Sequence, residues 1–216
     1  MKIQGAIFDL DGTLLDSMSI WDSLGENYLK SIGKVPKHGL KEKLSAMSLT
    51  QAAEFFISEY GVNISMQEIL RGFNEMISGF YTEHASIKMG VLEFLKKLKQ
   101  KNIKACIATA NDRALVEIFL EKYKLFDYFE YILTCDEVGS GKENAAIFNE
   151  ALKALGTEKK RTYVFEDALF AVKTAKKEGF PVVAVFDESA VKEQEEIKST
   201  ADMYIQSFLE MEDYFD

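Results

Sequence analysis

The sequence predicts an α/β fold: a Rossmann-like parallel sheet in a three-layer αβα core, interrupted by an all-helical cap. Three features carry this. Residues 3–8 form a short apolar run, the length of one buried strand, that stops at Asp9. From Ser17 to His84 the apolar residues recur at helical spacing, with no convincing strand. From residue 85 onward helix-period segments alternate with short apolar runs, as in a parallel sheet with helices on both faces. The expected domains are therefore an α/β core, 1–16 with 85–216, and a helical cap, 17–84.

Within the cap, helices are expected at 17–31, 39–47, 50–60 and 65–83. Thr50 reads as the N-cap of the third, and Ser65 with Glu68 three residues on reads as a capping box for the fourth. The core then alternates: helix 90–101, strand 103–108, helix 112–123, strand 130–134, helix 144–155, strand 162–165, helix 168–178, strand 181–186, helix 189–198 and strand 203–206.

Composition narrows the possible functions. The 216 residues are 47% hydrophobic and 28% charged, enough for one globular core with a sizeable insertion. Thirty-five acidic against 26 basic residues give a net charge of −9, which repels polyphosphate backbones and argues against a nucleic-acid partner. The two cysteines, Cys106 and Cys135, sit in apolar stretches and form no C-x-x-C pair, consistent with a reducing compartment. The run before Asp9 is too short for a secretory signal, and no stretch approaches the ~18 apolar residues of a membrane span. The expectation is a cytoplasmic monomer with no membrane partner.

Ligands of open parallel sheets bind beyond the carboxyl ends of the strands. Those ends read Asp9-Leu10-Asp11-Gly12-Thr13, Ala108-Thr109-Ala110-Asn111 and, after strand 162–165, Glu166-Asp167. A D-x-D triplet alone is weak in a chain this acidic, but its coincidence with an acidic pair and a hydroxyl at other strand ends is not. Other templates fail. Gly139-Ser140-Gly141-Lys142 lacks the first glycine of a P-loop, where Asp136 stands, and is followed by Glu143. An EF-hand loop would need ligands at Ile7 and Met18, and His38 and His84 sit in no triad or zinc pattern.

Asp9 through Ser17, Thr109, Lys142 in Gly141-Lys142-Glu143, and Phe165-Glu166-Asp167 resemble the motifs of the haloacid dehalogenase superfamily over essentially the whole chain. With a helical insert directly behind the first motif, the chain is similar to the phosphoglucomutase-like and sugar-phosphatase branch. The resemblance implies a magnesium-dependent phosphatase acting on a small phosphorylated metabolite, with Asp9 as the nucleophile that forms an aspartyl-phosphate. It makes Asp11 the acid that protonates the leaving oxygen and then the base that activates water. Mg²⁺ favours all-oxygen ligation, supplied by Asp9, the main-chain carbonyl of Asp11 and Asp167, with Glu166 in or next to that shell. Thr109, with the amides of Ala110 and Asn111, forms a cradle for the phosphoryl group at the start of helix 112–123, and Lys142 adds a fixed positive charge.

The chain departs from the family pattern behind Lys142. There Glu143-Asn144-Ala145-Ala146 replaces a Pro-x-Pro-Asp run, which predicts a looser hold on the lysine. In the cap, Trp21 stands where mutases of the branch have a histidine, and is a candidate apolar wall for the substrate. The cap carries six basic against eight acidic residues, and none basic between Lys43 and Arg71. A phosphosugar mutase shares the core residues but needs a second phosphate clamp. A metal-free dehalogenase leaves Glu166 and Asp167 unexplained, and a non-catalytic phosphate sensor has only the altered Lys142 loop in its favour.

Overall fold

A computed structural model describes residues 3–44, 47 and 49–211. Along the chain, β1 (Gly5–Phe8) and β2 (Leu15–Asp16) precede four helices, α1 (Met18–Ser31), α2 (Leu40–Leu44), α3 (Leu49–Tyr60) and α4 (Met66–Glu83). Then follow β3 (Ser86–Ile87), α5 (Val91–Gln100), β4 (Lys104–Thr109), α6 (Arg113–Tyr123), β5 (Tyr131–Thr134), α7 (Cys135–Val138), α8 (Ala146–Leu155) and β6 (Thr162–Glu166). The chain continues through α9 (Leu169–Glu178), β7 (Val182–Val185), α10 (Gln194–Thr200) and β8 (Met203–Ile205). Two compact units result, Met1–Asp16 with Ser86–Asp216, and Ser17–Ala85.

The first unit is a six-stranded sheet in the order β5-β4-β1-β6-β7-β8, with every pair parallel. Both faces of β1 are apolar because both are covered. Ile7, paired in register with Cys106 and Val164, lies in one core with Phe148, Ala151, Val172 and Ala175 from α8 and α9. The next residue, Phe8, turns to the opposite face, where its ring stacks on Phe165 at 4.5 Å and meets Phe94 of α5 and Phe208 edge-on or tilted. Burying each such ring contributes ~1.5–3 kcal/mol, so the strand ends just before Asp9 and Glu166 are among the best-anchored points of the sheet. A second, two-stranded antiparallel sheet pairs Leu15 with Ile87 and Asp16 with Ser86.

The helical unit packs Tyr28 of α1 against Phe73 of α4 (4.8 Å between ring centroids) and Phe56 of α3 against the same ring (5.8 Å). Ser65 and Glu68 form the expected capping box: the Ser65 hydroxyl accepts from the Glu68 amide at 3.3 Å and the Glu68 carboxylate accepts from the Ser65 amide at 3.1 Å. No helix among the described residues is long and apolar enough to cross a membrane.

Several boundaries differ from expectation. Thr50 lies inside α3, which starts at Leu49, so it is not an N-cap. Of the helix expected at 39–47, Leu40–Leu44 is helical and Met47 is not, with residues 45 and 46 outside those described. The segment 189–198 is not one α-helix: Asp187 accepts the Ser189 amide at 2.9 Å and opens a 3₁₀ stretch, Glu188–Glu193, before α10 begins. Thr134 and Glu137 form an unforeseen capping box around the single turn of α7.

Candidate active site

The sheet order sends the chain to one side of β1 for β4 and β5 and to the other for β6, β7 and β8. This reversal opens a crevice at the carboxyl end of β1, between the ends of β4 and β6. Asp9 is the first residue past β1, and its amide donates to the Phe165 carbonyl at 3.0 Å. The chain then turns tightly, with the Leu10 carbonyl accepting from the amides of Leu14 and Leu15, each at 2.9 Å. Gly12 makes the turn possible: its φ is +81°, and any Cβ there would overlap the Asp167 carboxylate. Thr13, fully buried, donates from Oγ1 to Oδ1 of Asp167 at 3.0 Å.

Oxygens of Asp9, Glu166 and Asp167 lie within 4.8 Å of one another. All three residues are buried, with 8%, 1% and 4% exposure. Lys142 is 5% exposed and bridges two of them, donating to Asp9 Oδ1 and, at 2.6 Å, to Glu166 Oε1. Burial alone would lower the Lys142 pKa, but the Asp9 and Glu166 charges outweigh it and hold the ammonium above its usual range. The expectation of a loosely held Lys142 is therefore corrected. Pre-organisation by loop proline is worth ~0.4–1 kcal/mol, whereas removing one partner of a buried ion pair costs ~3–5 kcal/mol, so the ion pairs decide.

Glu166 is pushed up to about 7 by burial, with Lys142 pulling it down and Asp9 adding to the rise. Its second oxygen accepts from the amides of Asp167 (3.1 Å) and Ala168 (3.3 Å). Asp167 is raised well above the usual carboxylate range by burial, then by the charges of Asp9, Glu166 and Asp187, with Lys88 opposing. Lys88 and Asp187 were not foreseen. Their side chains, 13% and 6% exposed, pair at 2.8 Å, and Lys88 also donates to the Phe186 carbonyl at 2.6 Å.

Four buried carboxylates (Asp9, Glu166, Asp167 and Asp187) thus face one buried and one partly buried ammonium group (Lys142 and Lys88). With all four carboxylates ionised the excess is two negative charges, on oxygen donors only, which fits one hard divalent cation such as Mg²⁺, with Asp9 and Asp167, and Glu166 beside them, as the residues that would hold it.

The loop after β4 supplies the other wall. Thr109 is 1% exposed and its Oγ1 accepts the Asn111 amide at 3.0 Å, which leaves the hydroxyl proton to donate elsewhere. The Asn111 amide, expected to face an anion, is therefore spent inside the loop, while Ala110 is exposed. The Asn111 side chain instead reaches Asp11: Nδ2 donates to Asp11 Oδ2 at 2.9 Å. Asp112 caps α6 by accepting the Ala114 amide at 2.8 Å. The structure thus gathers Asp9, Asp11, Thr109, Asn111, Lys142, Glu166 and Asp167 through direct contacts or adjacent strand ends. Trp21 belongs to α1 of the helical unit, half-buried, with its Nε1 enclosed and unpartnered. His38 and His84 are exposed.

Gly12 and Thr13 had a signal in the sequence, since both stand in the first motif. Lys88 and Asp187, 99 residues apart, had none, because only the fold brings them together.

The sheet order and the carboxylates at its central strand ends are those of a doubly wound α/β protein whose site lies beyond the carboxyl edge of a parallel sheet. The chain belongs to the haloacid dehalogenase-like hydrolases, whose family profile matches residues 6–185. Among curated relatives, it is 27% identical over 146 residues to (DL)-glycerol-3-phosphatase 2 of Arabidopsis thaliana, an alignment covering 65% of this chain and 60% of that enzyme. It is 24% identical over 153 residues to a phosphorylated carbohydrates phosphatase of Thermotoga maritima, covering 71% of each. The match thus spans less than two thirds of the plant enzyme's length. In fold, it superimposes on CbbY of Rhodobacter sphaeroides, solved in complex with xylulose-(1,5)bisphosphate, with a TM-score of 0.83 at 20% identity over 97% of this chain and 96% of that one.

Proposed function

We propose that the protein is a Mg²⁺-dependent phosphatase that hydrolyses a small phosphorylated metabolite, a sugar or polyol phosphate or similar monoester, through an aspartyl-phosphate on Asp9. The observation that carries this reading is the convergence of Asp9, Glu166 and Asp167 at the ends of β1 and β6, with Lys142 bridging the first two. The family membership and the curated phosphatases it resembles support it.

A phosphate monoester dianion repels nucleophiles, so its charge must be met as the nucleophile approaches. Bound Mg²⁺ would supply Lewis-acid neutralisation of the phosphoryl oxygens. Lys142 adds a fixed charge that needs no reorganisation, and the Thr109 hydroxyl donates to a phosphoryl oxygen. In the first half-reaction the Asp9 carboxylate attacks phosphorus, the ester P–O bond breaks, and the protonated Asp11 gives its proton to the departing alkoxide. In the second, Asp11 as carboxylate takes a proton from water as that water attacks phosphorus. The Asp9–phosphorus bond breaks, releasing inorganic phosphate and restoring both residues. The helical unit acts as a cap that selects the organic part of the substrate, with Trp21 as its apolar contact.

The test is release of free phosphate from a panel of sugar, polyol, nucleotide and cofactor phosphates by the purified protein with Mg²⁺. Asp9→Asn and Asp11→Asn should each remove turnover by at least ~10²–10⁴-fold while the fold survives. Hydrolysis of no monoester, or more than about a tenth of wild-type turnover in either folded variant, overturns the reading.

A further inference from the structure

We propose that Asn111 is the positioning residue of Asp11: its side-chain amide holds Asp11 Oδ2 and so dedicates Oδ1 to proton transfer. This rests on the reading of Asp11 as the acid and base of the phosphatase.

The geometry leaves the Asn111 amide one orientation. Its Oδ1 accepts the backbone N–H of Asp112 at 2.9 Å, and an N–H cannot be replaced there by the NH₂ end of the side chain. Nδ2 is therefore the end that faces Asp11, and it donates to Oδ2 at 2.9 Å across 100 residues of sequence. The donor is itself held. Asn111 is 6% exposed, its main-chain amide is bound to Thr109 Oγ1, and the next residue is the N-cap of an 11-residue helix. Asp11, by contrast, sits half-buried in the turn after β1. Asn111 is thus a fixed donor toward Asp11.

An N–H that points at one carboxyl oxygen makes that oxygen the acceptor of the protonated acid, so the proton resides on the other. In the first half-reaction Oδ1–H gives its proton to the leaving alkoxide. In the second, Oδ1 takes the proton from water, and Oδ2 keeps its bond to Asn111 throughout. A displacement of ~1 Å in such a group costs ~10²-fold in rate, so this one hydrogen bond is worth measuring.

The experiment uses kcat/KM, which reports the first half-reaction, with an alkyl phosphate found in the panel and with p-nitrophenyl phosphate, whose leaving group needs no proton. Asn111→Leu removes the donor and the acceptor at nearly constant volume, Asn111→Ala removes them with the rest of the side chain, neither adds a charge beside Asp11, and thermal melting identifies either variant if it fails to fold. Both should lower kcat/KM for the alkyl ester ~10–100-fold but for p-nitrophenyl phosphate by less than about threefold, with inhibition by inorganic phosphate unchanged. In an Asp11→Asn background the same substitutions should cause no further loss, because residues acting through one group are not additive. Equal losses on both esters, additive losses in the Asp11→Asn background, or weakened phosphate inhibition would overturn the proposal and return Asn111 to a structural or phosphate-binding role. Full activity of a folded Asn111→Ala beside an inactive Asp11→Asn would overturn the positioning alone, whereas an active Asp11→Asn would overturn the phosphatase reading beneath it.

Discussion

The Thr13 hydroxyl donates to Oδ1 of Asp167 at 3.0 Å, and neither residue is open to solvent. A ligand carboxylate whose orientation depends on one neighbouring donor loses affinity when that donor goes, typically by ~10–100-fold. Thr13→Val removes the hydroxyl at nearly constant volume and should raise the Mg²⁺ concentration for half-maximal activity by about that factor, with Thr13→Ser recovering most of it. An unchanged Mg²⁺ titration of a folded Thr13→Val would show that Asp167 needs no such support.

Lys142 should matter for stability as well as turnover. Replacing it by methionine keeps the stem but leaves Asp9 and Glu166 buried against each other, a change that costs ~3–5 kcal/mol when a buried pair is broken. The expected outcome is a marked fall in the denaturation midpoint in chelator, partly reversed by Mg²⁺, and a loss of turnover of ~10²-fold or more. Lys142→Arg is not a safe substitute, because a planar fork cannot occupy a slot that encloses a single ammonium.

The raised carboxylates give the metal a pH dependence with a definite sign. Glu166, at about 7, and Asp167, raised further by its neighbours, bind protons in the folded protein that the unfolded chain releases. In chelator, stability contributed by these groups therefore falls as pH rises through about 7 and recovers as pH drops toward the unfolded carboxylate range. Metal binding displaces those protons, so Mg²⁺ should protect more at pH 8 than at pH 6, and its affinity should weaken over the same descent. Thermal melts with and without Mg²⁺ across that range check this; a Mg²⁺-induced shift independent of pH would contradict it. Asp167→Asn should melt higher than wild type in chelator at pH 8 and gain little from Mg²⁺.

Much of the architecture was legible because the central strands are buried on both faces and read as uninterrupted apolar runs, as at Ala105–Ala108 and Val182–Val185. The pairings β2–β3 were not, since two-residue strands have no periodicity. Thr134 and Glu137 carried a readable capping signal, but α7 is only one turn long and its apolar content is too small to register. At the site, residues at strand ends could be picked out one by one. What could not be read was which side-chain atom meets which: that the Asn111 amide turns to Asp11, or that Lys88 closes on Asp187, follows from packing among segments about 100 residues apart.

The last expectation separates hydrolysis from isomerisation. A mutase must hold a sugar bisphosphate by both ends while it reorients, which takes cationic donors in the helical unit as well as in the core. The described cations of that unit are engaged within it. Lys30 pairs with Glu26 at 3.0 Å, Lys41 with Asp22 at 2.7 Å and Arg71 with Glu75 at 3.8 Å, while Lys34 donates to the Tyr60 and Gly61 carbonyls and Lys37 to Glu59. Exposed pairs of this kind are weak, ~0–1 kcal/mol, so they do not lock the side chains; what they show is that these five cations each have an acid or carbonyl already beside them, while Lys43 stands over the Phe55 ring at 5.8 Å. Trp21, with its enclosed Nε1, offers a donor but no charge. Water is then the expected acceptor of the phosphoryl group on Asp9. Incubation with β-glucose 1-phosphate, Mg²⁺ and a trace of the bisphosphate, following glucose 6-phosphate and free phosphate separately, should give no isomerisation, alongside phosphate release from a monoester of the panel. Rapid formation of glucose 6-phosphate with little free phosphate would make the protein a mutase.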